Sequence, residues 1–161
     1  MPAIGFTRLT PAETARVAHL TMAPGQDRFT ADPVRRLQDL PPGQDAWGVL
    51  DAAGAVVGFL VIDRDYPAAH PFARAGEHGL RSVLIDAARQ GTGLGKAAMA
   101  GLRGLMTRHY PGVPGLVLTV NAANPAARAV YLKAGFTDTG ELWLGGRAGP
   151  QHVLRMDLGA P

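Results

Sequence analysis

The chain of 161 residues contains no cysteine, and that absence removes disulfide frameworks, zinc-finger spacings and thiol nucleophiles together. Its five histidines, His19, His70, His78, His109 and His152, form no pair at metal-ligand spacing, so no metal site is expected. Long apolar runs are missing too. No segment reaches the length of a bilayer span, and the opening MPAIGFTRLT lacks the basic-then-apolar order of a signal peptide. The expectation is a cytoplasmic protein with no membrane partner. Aromatic residues are scarce, at 6%, and the arginines are scattered from Arg8 to Arg155 without a basic stripe. The net charge of +3 therefore reads as solvated surface with room for one anionic ligand, and no nucleic-acid partner is expected. Neither an internal repeat nor a low-complexity linker interrupts the chain, whose length suits one domain over residues 1–161.

What the sequence does have is punctuation, since 21 glycines and 13 prolines separate short periodic segments. Residues 6–9 are a strand candidate, and Pro11 opens PAETARVAHL, where Ala15, Val17, Ala18 and Leu20 give a helix its apolar side. A second short helix is expected over residues 33–40, stopped by Pro41, Pro42 and Gly43. Residues 46–50 and 56–63 read as a hairpin joined by the turn Asp51-Ala52-Ala53-Gly54. Residues 65–79, with Pro67, Pro71, Gly76 and Gly79, are a surface loop by composition, and residues 80–86 are a strand rich in branched side chains. Over residues 93–110, Leu94, Ala97, Ala98, Leu102, Leu105 and Met106 recur at helical spacing despite Gly101 and Gly104. An apolar strand at 115–120, a helix at 125–134 and two strands at 137–144 and 152–157 complete a mixed α/β order that ends in an antiparallel pair.

The stretch Gln90-Gly91-Thr92-Gly93-Leu94-Gly95-Lys96 stands between a strand and a helix, where backbone N–H groups and the positive end of the helix dipole together make a cradle for an anion. A nucleoside-triphosphate loop would need glycine at Gln90 and a hydroxyl residue at Ala97, and a dinucleotide fingerprint would need glycine at Lys96. Neither pattern is met. Glycines that merely close a tight turn would look the same. A second signal lies downstream, where Asn124 and Pro125 open a helix that ends before Gly135, in keeping with N-cap, first-turn and C-terminal preferences. Tyr131 follows Asn124 by seven residues, which puts both on nearly one helix face about 10 Å apart along the axis. Read alone, Tyr131 is a core tyrosine with Phe136 packing back on the helix end.

Taken together, the strand at 80–86, the loop QGTGLG, the long helix, the apolar strand and NPAARAVYLKAGF resemble the GNAT superfamily of acyl-CoA-dependent N-acetyltransferases. The loop matches that family's Q/R-x-x-G-x-G/A pattern, and the second motif reads N-x-x-x-x-x-x-Y-x-x-x-G-F at the family's separation. The C-terminal half carries the likeness closely and the N-terminal half in outline. The resemblance implies one GNAT-type domain, with a mixed sheet of about six to seven strands, splayed at the cofactor site and flanked by about four helices.

For the site, the resemblance implies that Gln90, Gly91, Thr92, Gly93, Leu94, Gly95 and Lys96 hold the diphosphate of acetyl-CoA or coenzyme A. Backbone groups at Val83, Leu84 and Ile85 bind its pantetheine arm, and one N–H there faces the thioester oxygen. Asn124 holds the cofactor near the reacting end, and Tyr131 is the general acid for the departing thiolate. Its ordinary pKa of about 10 lies near that of a thiol. For the base that takes the ammonium proton, Glu77 is preferred over His78, with Asp63, Asp65, Asp86 and Glu141 as further carboxylates; Asp86 instead suits a cap on the loop. The stretches LRSVLIDAARQGTGLGKAAM and TGELWLGGRAGPQHVLRMDL are similar to the branch with spermine and spermidine acetyltransferases, although Gly149-Pro150-Gln151-His152 stands where that branch has another acidic residue. The expected partner is a small-molecule primary amine, with a polyamine as its leading version. A protein or peptide acetyltransferase, a non-catalytic acyl-CoA-binding module and a homodimer all stay open.

Overall fold

The computed structural model describes residues 1–146 and 149–159, so Arg147 and Ala148 of the C-terminal stretch and the last two residues lie outside it. Among the described residues seven strands, β1 (Gly5–Leu9), β2 (Gln44–Leu50), β3 (Val56–Asp63), β4 (His78–Ile85), β5 (Gly115–Asn121), β6 (Thr137–Trp143) and β7 (Gln151–Asp157), form one mixed sheet in the order β1-β2-β3-β4-β5-β7-β6. Five α-helices accompany them among the described residues: α1 (Pro33–Gln38), α2 (Tyr66–Ala69), α3 (Leu94–Ala100), α4 (Leu102–His109) and α5 (Pro125–Lys133). No helix of the described residues is long and apolar enough to cross a membrane.

By contacts the chain divides into two compact units, Met1–Arg64 with Leu80–Ala98, and Asp65–Gly79 with Met99–Pro161, and β4 contributes residues to both. In the first unit β1 pairs antiparallel with β2, and β2 with β3, in the register Ala46↔Val61 and Trp47↔Leu60. All eight residues of β3 are buried, and its Phe59 and Val61 join Leu9, Val17, Leu20, Leu37, Ala46 and Leu84 in one apolar cluster. Each valine, leucine or phenylalanine among them contributes roughly 1.5–3 kcal/mol by leaving water. The segment expected as a helix over residues 11–20 is instead a 3₁₀ turn at Pro11–Arg16, kinked at Glu13. Glu13 folds back to accept the Thr10 N–H at 2.9 Å, and the bonds Val17 to Thr14 and Leu20 to Val17 continue the tighter winding. Val17 and Leu20, three residues apart, are the ones it buries.

In the second unit β4 begins in parallel with β5 at His78↔Leu116 and Gly79↔Val117, while β5–β7 and β7–β6 are antiparallel. The stretch expected as a plain surface loop contains α2, whose Tyr66 is buried. Gly79 makes room for that ring, because a Cβ at Gly79 would lie 2.0 Å from Tyr66 Cδ1. Tyr66 stacks on His70 at 3.8 Å between centroids, and Phe72 and Trp143 close an aromatic cluster around them. The long helix expected over residues 93–110 is present as α3 and α4, separated at Gly101, which costs a helix interior up to about 1 kcal/mol.

Candidate functional site

β4 is irregular in its middle. Ser82 has φ of +57°, and no other non-glycine residue among those described lies in the left-handed region. For a residue with a Cβ that conformation costs on the order of 1–2 kcal/mol, and within a strand it re-aims the backbone groups that follow. Arg81, Ser82, Val83 and Ile85 are only half-buried, in contrast to the buried β3, whereas Leu84 points into the apolar cluster. Arg36 on α1 reaches Ser82 directly, its Nε donating to Ser82 Oγ at 2.8 Å while its Nη2 donates to the side-chain oxygen of Gln44. Burial and the nearby Arg81 charge lower the Arg36 guanidinium from its ordinary value, and Asp63, paired with Arg81 at 3.1 Å, acts the other way.

The exit from β4 is pinned by Asp86, which caps a short 3₁₀ turn by accepting the Ala88 N–H. Its Oδ1 also accepts the N–H and the hydroxyl of Thr21 at 3.1 and 2.8 Å. Burial alone would raise the Asp86 carboxyl, but these hydrogen bonds outweigh it and hold the group below the usual carboxylate range. Beyond it Gln90, Gly91 and Thr92 are exposed. Gly91 and Gly93 have φ of +80° and +86°, the region that glycine alone enters without penalty. Gln90 closes the loop on its own strand, donating to the Ile85 carbonyl at 3.0 Å and to Gln26 at 3.3 Å. The first α3 bond runs from Ala97 N–H to the Gly93 carbonyl, so the N–H groups of Leu94, Gly95 and Lys96 are first-turn donors without a helical partner. Lys96 is exposed beside them. This is a cradle that an anion fits.

Asn124 and Tyr131 lie in the second unit, on α5. Asn124 caps that helix by accepting the Ala127 N–H at 3.4 Å, and Gly135, at φ of +110°, follows its last turn. Tyr131 is half-buried, edge-on to Phe136 at 5.8 Å, and desolvation by the surrounding protein pushes its phenol up to about 12. Glu77 also belongs to the second unit and is buried. Its Oε1 accepts the Arg74 N–H at 2.6 Å and Arg155 Nη2 at 3.1 Å, and its Oε2 accepts Arg155 Nε at 2.7 Å. Gly115 allows this pair to close, since a Cβ there would lie 2.7 Å from Glu77 Oε2. The structure thus gathers residues 83–85 and 90–96 on one continuous stretch of the first unit, and gives Glu77, Asn124 and Tyr131 their own settings in the second. Thr21, Arg36, Ser82 and Arg155 carry no mark in the sequence that would single them out. Among the described residues, no group of three or more His, Asp or Glu side chains is assembled as a metal ion would need.

The sequence profile of the acetyltransferase (GNAT) family matches residues 14–136. The chain is 28% identical over 157 residues to the uncharacterized N-acetyltransferase YbbJ of Bacillus subtilis, covering 94% of this chain and 95% of that protein. It is 38% identical over 97 residues to mycothiol acetyltransferase of Amycolatopsis mediterranei, and that match covers 58% of this chain and only 31% of the relative. Among solved structures, aminoglycoside acetyltransferase AAC(6')-Ib with coenzyme A and kanamycin superposes with a TM-score of 0.77 at 19% identity, covering 96% of this chain and 95% of the other. Spermidine N-acetyltransferase SpeG from Vibrio cholerae superposes with a TM-score of 0.69 at 15% identity, covering 96% and 94%. With a family match that spans well over half its length, the chain belongs to the acetyltransferase (GNAT) family and is an acyl-CoA-dependent N-acetyltransferase.

Proposed function

We propose that this enzyme moves an acetyl group from acetyl-CoA to a primary amine of a small molecule, by direct attack within a ternary complex, from a single domain spanning residues 1–161. The observation that carries the reading is β4 itself: left-handed at Ser82, half-exposed at Val83 and Ile85, and leading into a loop with two left-handed glycines and the first-turn N–H groups of α3. When bound, acetyl-CoA supplies the acyl group and a thiol leaving group. The donors of Gly91 to Lys96 hold its diphosphate, and backbone groups of Val83, Leu84 and Ile85 line its pantetheine arm. Asn124 adds a contact from the head of α5. Tyr131 keeps its proton throughout the working range, because burial holds its phenol at about 12, and gives that proton to the departing sulfur.

Glu77 is the acidic candidate for taking the ammonium proton. With both oxygens already accepting from Arg155 and Arg74, it does so only if Arg155 lets go. The small-molecule reading draws support from the kanamycin-bound and spermidine-acetylating structures, and a polyamine is its leading version. A peptide acceptor is the alternative within the same chemistry. Thiol release from acetyl-CoA, followed spectrophotometrically against diamines, polyamines, aminoglycosides and peptides, separates the two, and light scattering on the same sample reports a homodimer.

A further inference from the structure

Resting on the reading above, we infer that Arg36 is a positioning residue for acyl transfer: from α1 it holds Ser82 in its left-handed conformation, and thereby sets where the backbone N–H groups of Val83 to Ile85 point. A non-glycine residue stays in that region only when its surroundings over-determine it. Here the surroundings are the Arg36 guanidinium, 2.8 Å from Ser82 Oγ and fixed at a second point by Gln44 on the first residue of β2. The helix that carries Arg36 is itself anchored, since Leu37 is fully buried and Asp32 caps it through the Val34 N–H. The Arg36 N–H also bonds the Asp32 carbonyl at 2.9 Å. Two donors in a rigid plane fix an orientation that a lysine, with one flexible ammonium, does not reproduce. Arg36 acts through Ser82, and its effect on chemistry is that of aiming a donor.

The test uses Arg36→Ala, Arg36→Lys, Ser82→Gly and the double variant Arg36→Ala with Ser82→Gly. Backbone carbon chemical shifts of residue 82 in isotope-labelled, ligand-free protein report its conformation without reference to catalysis. In Arg36→Ala they are expected to leave the left-handed range. In the same variant kcat falls by about 10- to 100-fold, and KM for acetyl-CoA rises as well, because the same backbone groups line its pantetheine arm. The double variant regains most of that loss, because glycine holds positive φ without an anchor. Arg36→Lys gives the same comparison should Arg36→Ala not fold. Left-handed shifts retained in the folded Arg36 variants, or a double variant no faster than Arg36→Ala, overturn the proposal. A wild-type protein that releases no thiol overturns the acetyl-transfer reading instead, and the chemical shifts then still decide whether Arg36 holds Ser82.

Discussion

Tyr131 and Glu77 show how one residue's surroundings divide structural from chemical work. Tyr131→Phe keeps the ring and its edge contact with Phe136, so a purely structural tyrosine loses at most about 0.5–1.5 kcal/mol of stability. As general acid, its loss lowers kcat by roughly 100-fold or more while coenzyme A affinity holds. The pH dependence has a definite sign. The fold favours the neutral phenol, with its pKa raised to about 12, so wild-type stability is intact below pH 10 and declines as the pH rises from about 10 through 12, where only the unfolded chain has ionised. Any high-pH limb of kcat due to Tyr131 lies at the upper edge of that window, near the folded value of about 12, and both effects vanish in the variant. Melting curves and kcat across pH 8–12 check this. For Glu77→Gln the expectation reverses, with stability hit first, because the half-buried Arg155 is left without its counter-charge. A loss of about 3 kcal/mol or more in denaturant unfolding is expected. A well-folded variant with collapsed turnover would instead assign Glu77 to proton transfer.

At the scale of elements, the strand, glycine loop and helix from β4 into α3 were legible because glycine spacing and helical periodicity are local signals. Both Gly91 and Gly93 do take positive φ. Gly93→Val therefore forces a branched side chain into a region it avoids and brings a Cβ to 3.3 Å from Pro2 Cδ. Calorimetric titration is expected to show coenzyme A affinity reduced far more than the melting temperature; normal binding by a folded variant would remove the diphosphate from this loop. What the sequence did not disclose depends on partners remote along the chain. Ser82 sits in a run of branched strand residues and is turned by Arg36, 46 positions away. Asp86 was legible as a cap, but its bonds to Thr21 were not. The 3₁₀ winding after Pro11 follows from Glu13 turning back on Thr10, which an apolar spacing pattern does not encode. Tyr66 is buried because Gly79 leaves room for its ring, so a stretch rich in proline and glycine hides a helix.

For the whole molecule, the expected mixed sheet of six to seven strands is a sheet of seven, and the family drawn from two motifs in the C-terminal half is matched across residues 14–136. Acceptor identity was not legible, because no linear motif of the sequence encodes it. The carboxylates that a polyamine would seek are partly occupied already, Asp63 by Arg81, Asp45 by Arg8 and Arg64, and Asp138 by Arg128. The central claim is that this chain acetylates a small amine from acetyl-CoA. The most direct measurement of that claim is thiol release from acetyl-CoA by the full chain across the amine and peptide panel, with acetylated product confirmed by mass. The account predicts one thiol released per acetylated small amine, saturable in both substrates, and background rates with peptides. Coenzyme A binding without thiol release for any amine, or release with peptides alone, would contradict it.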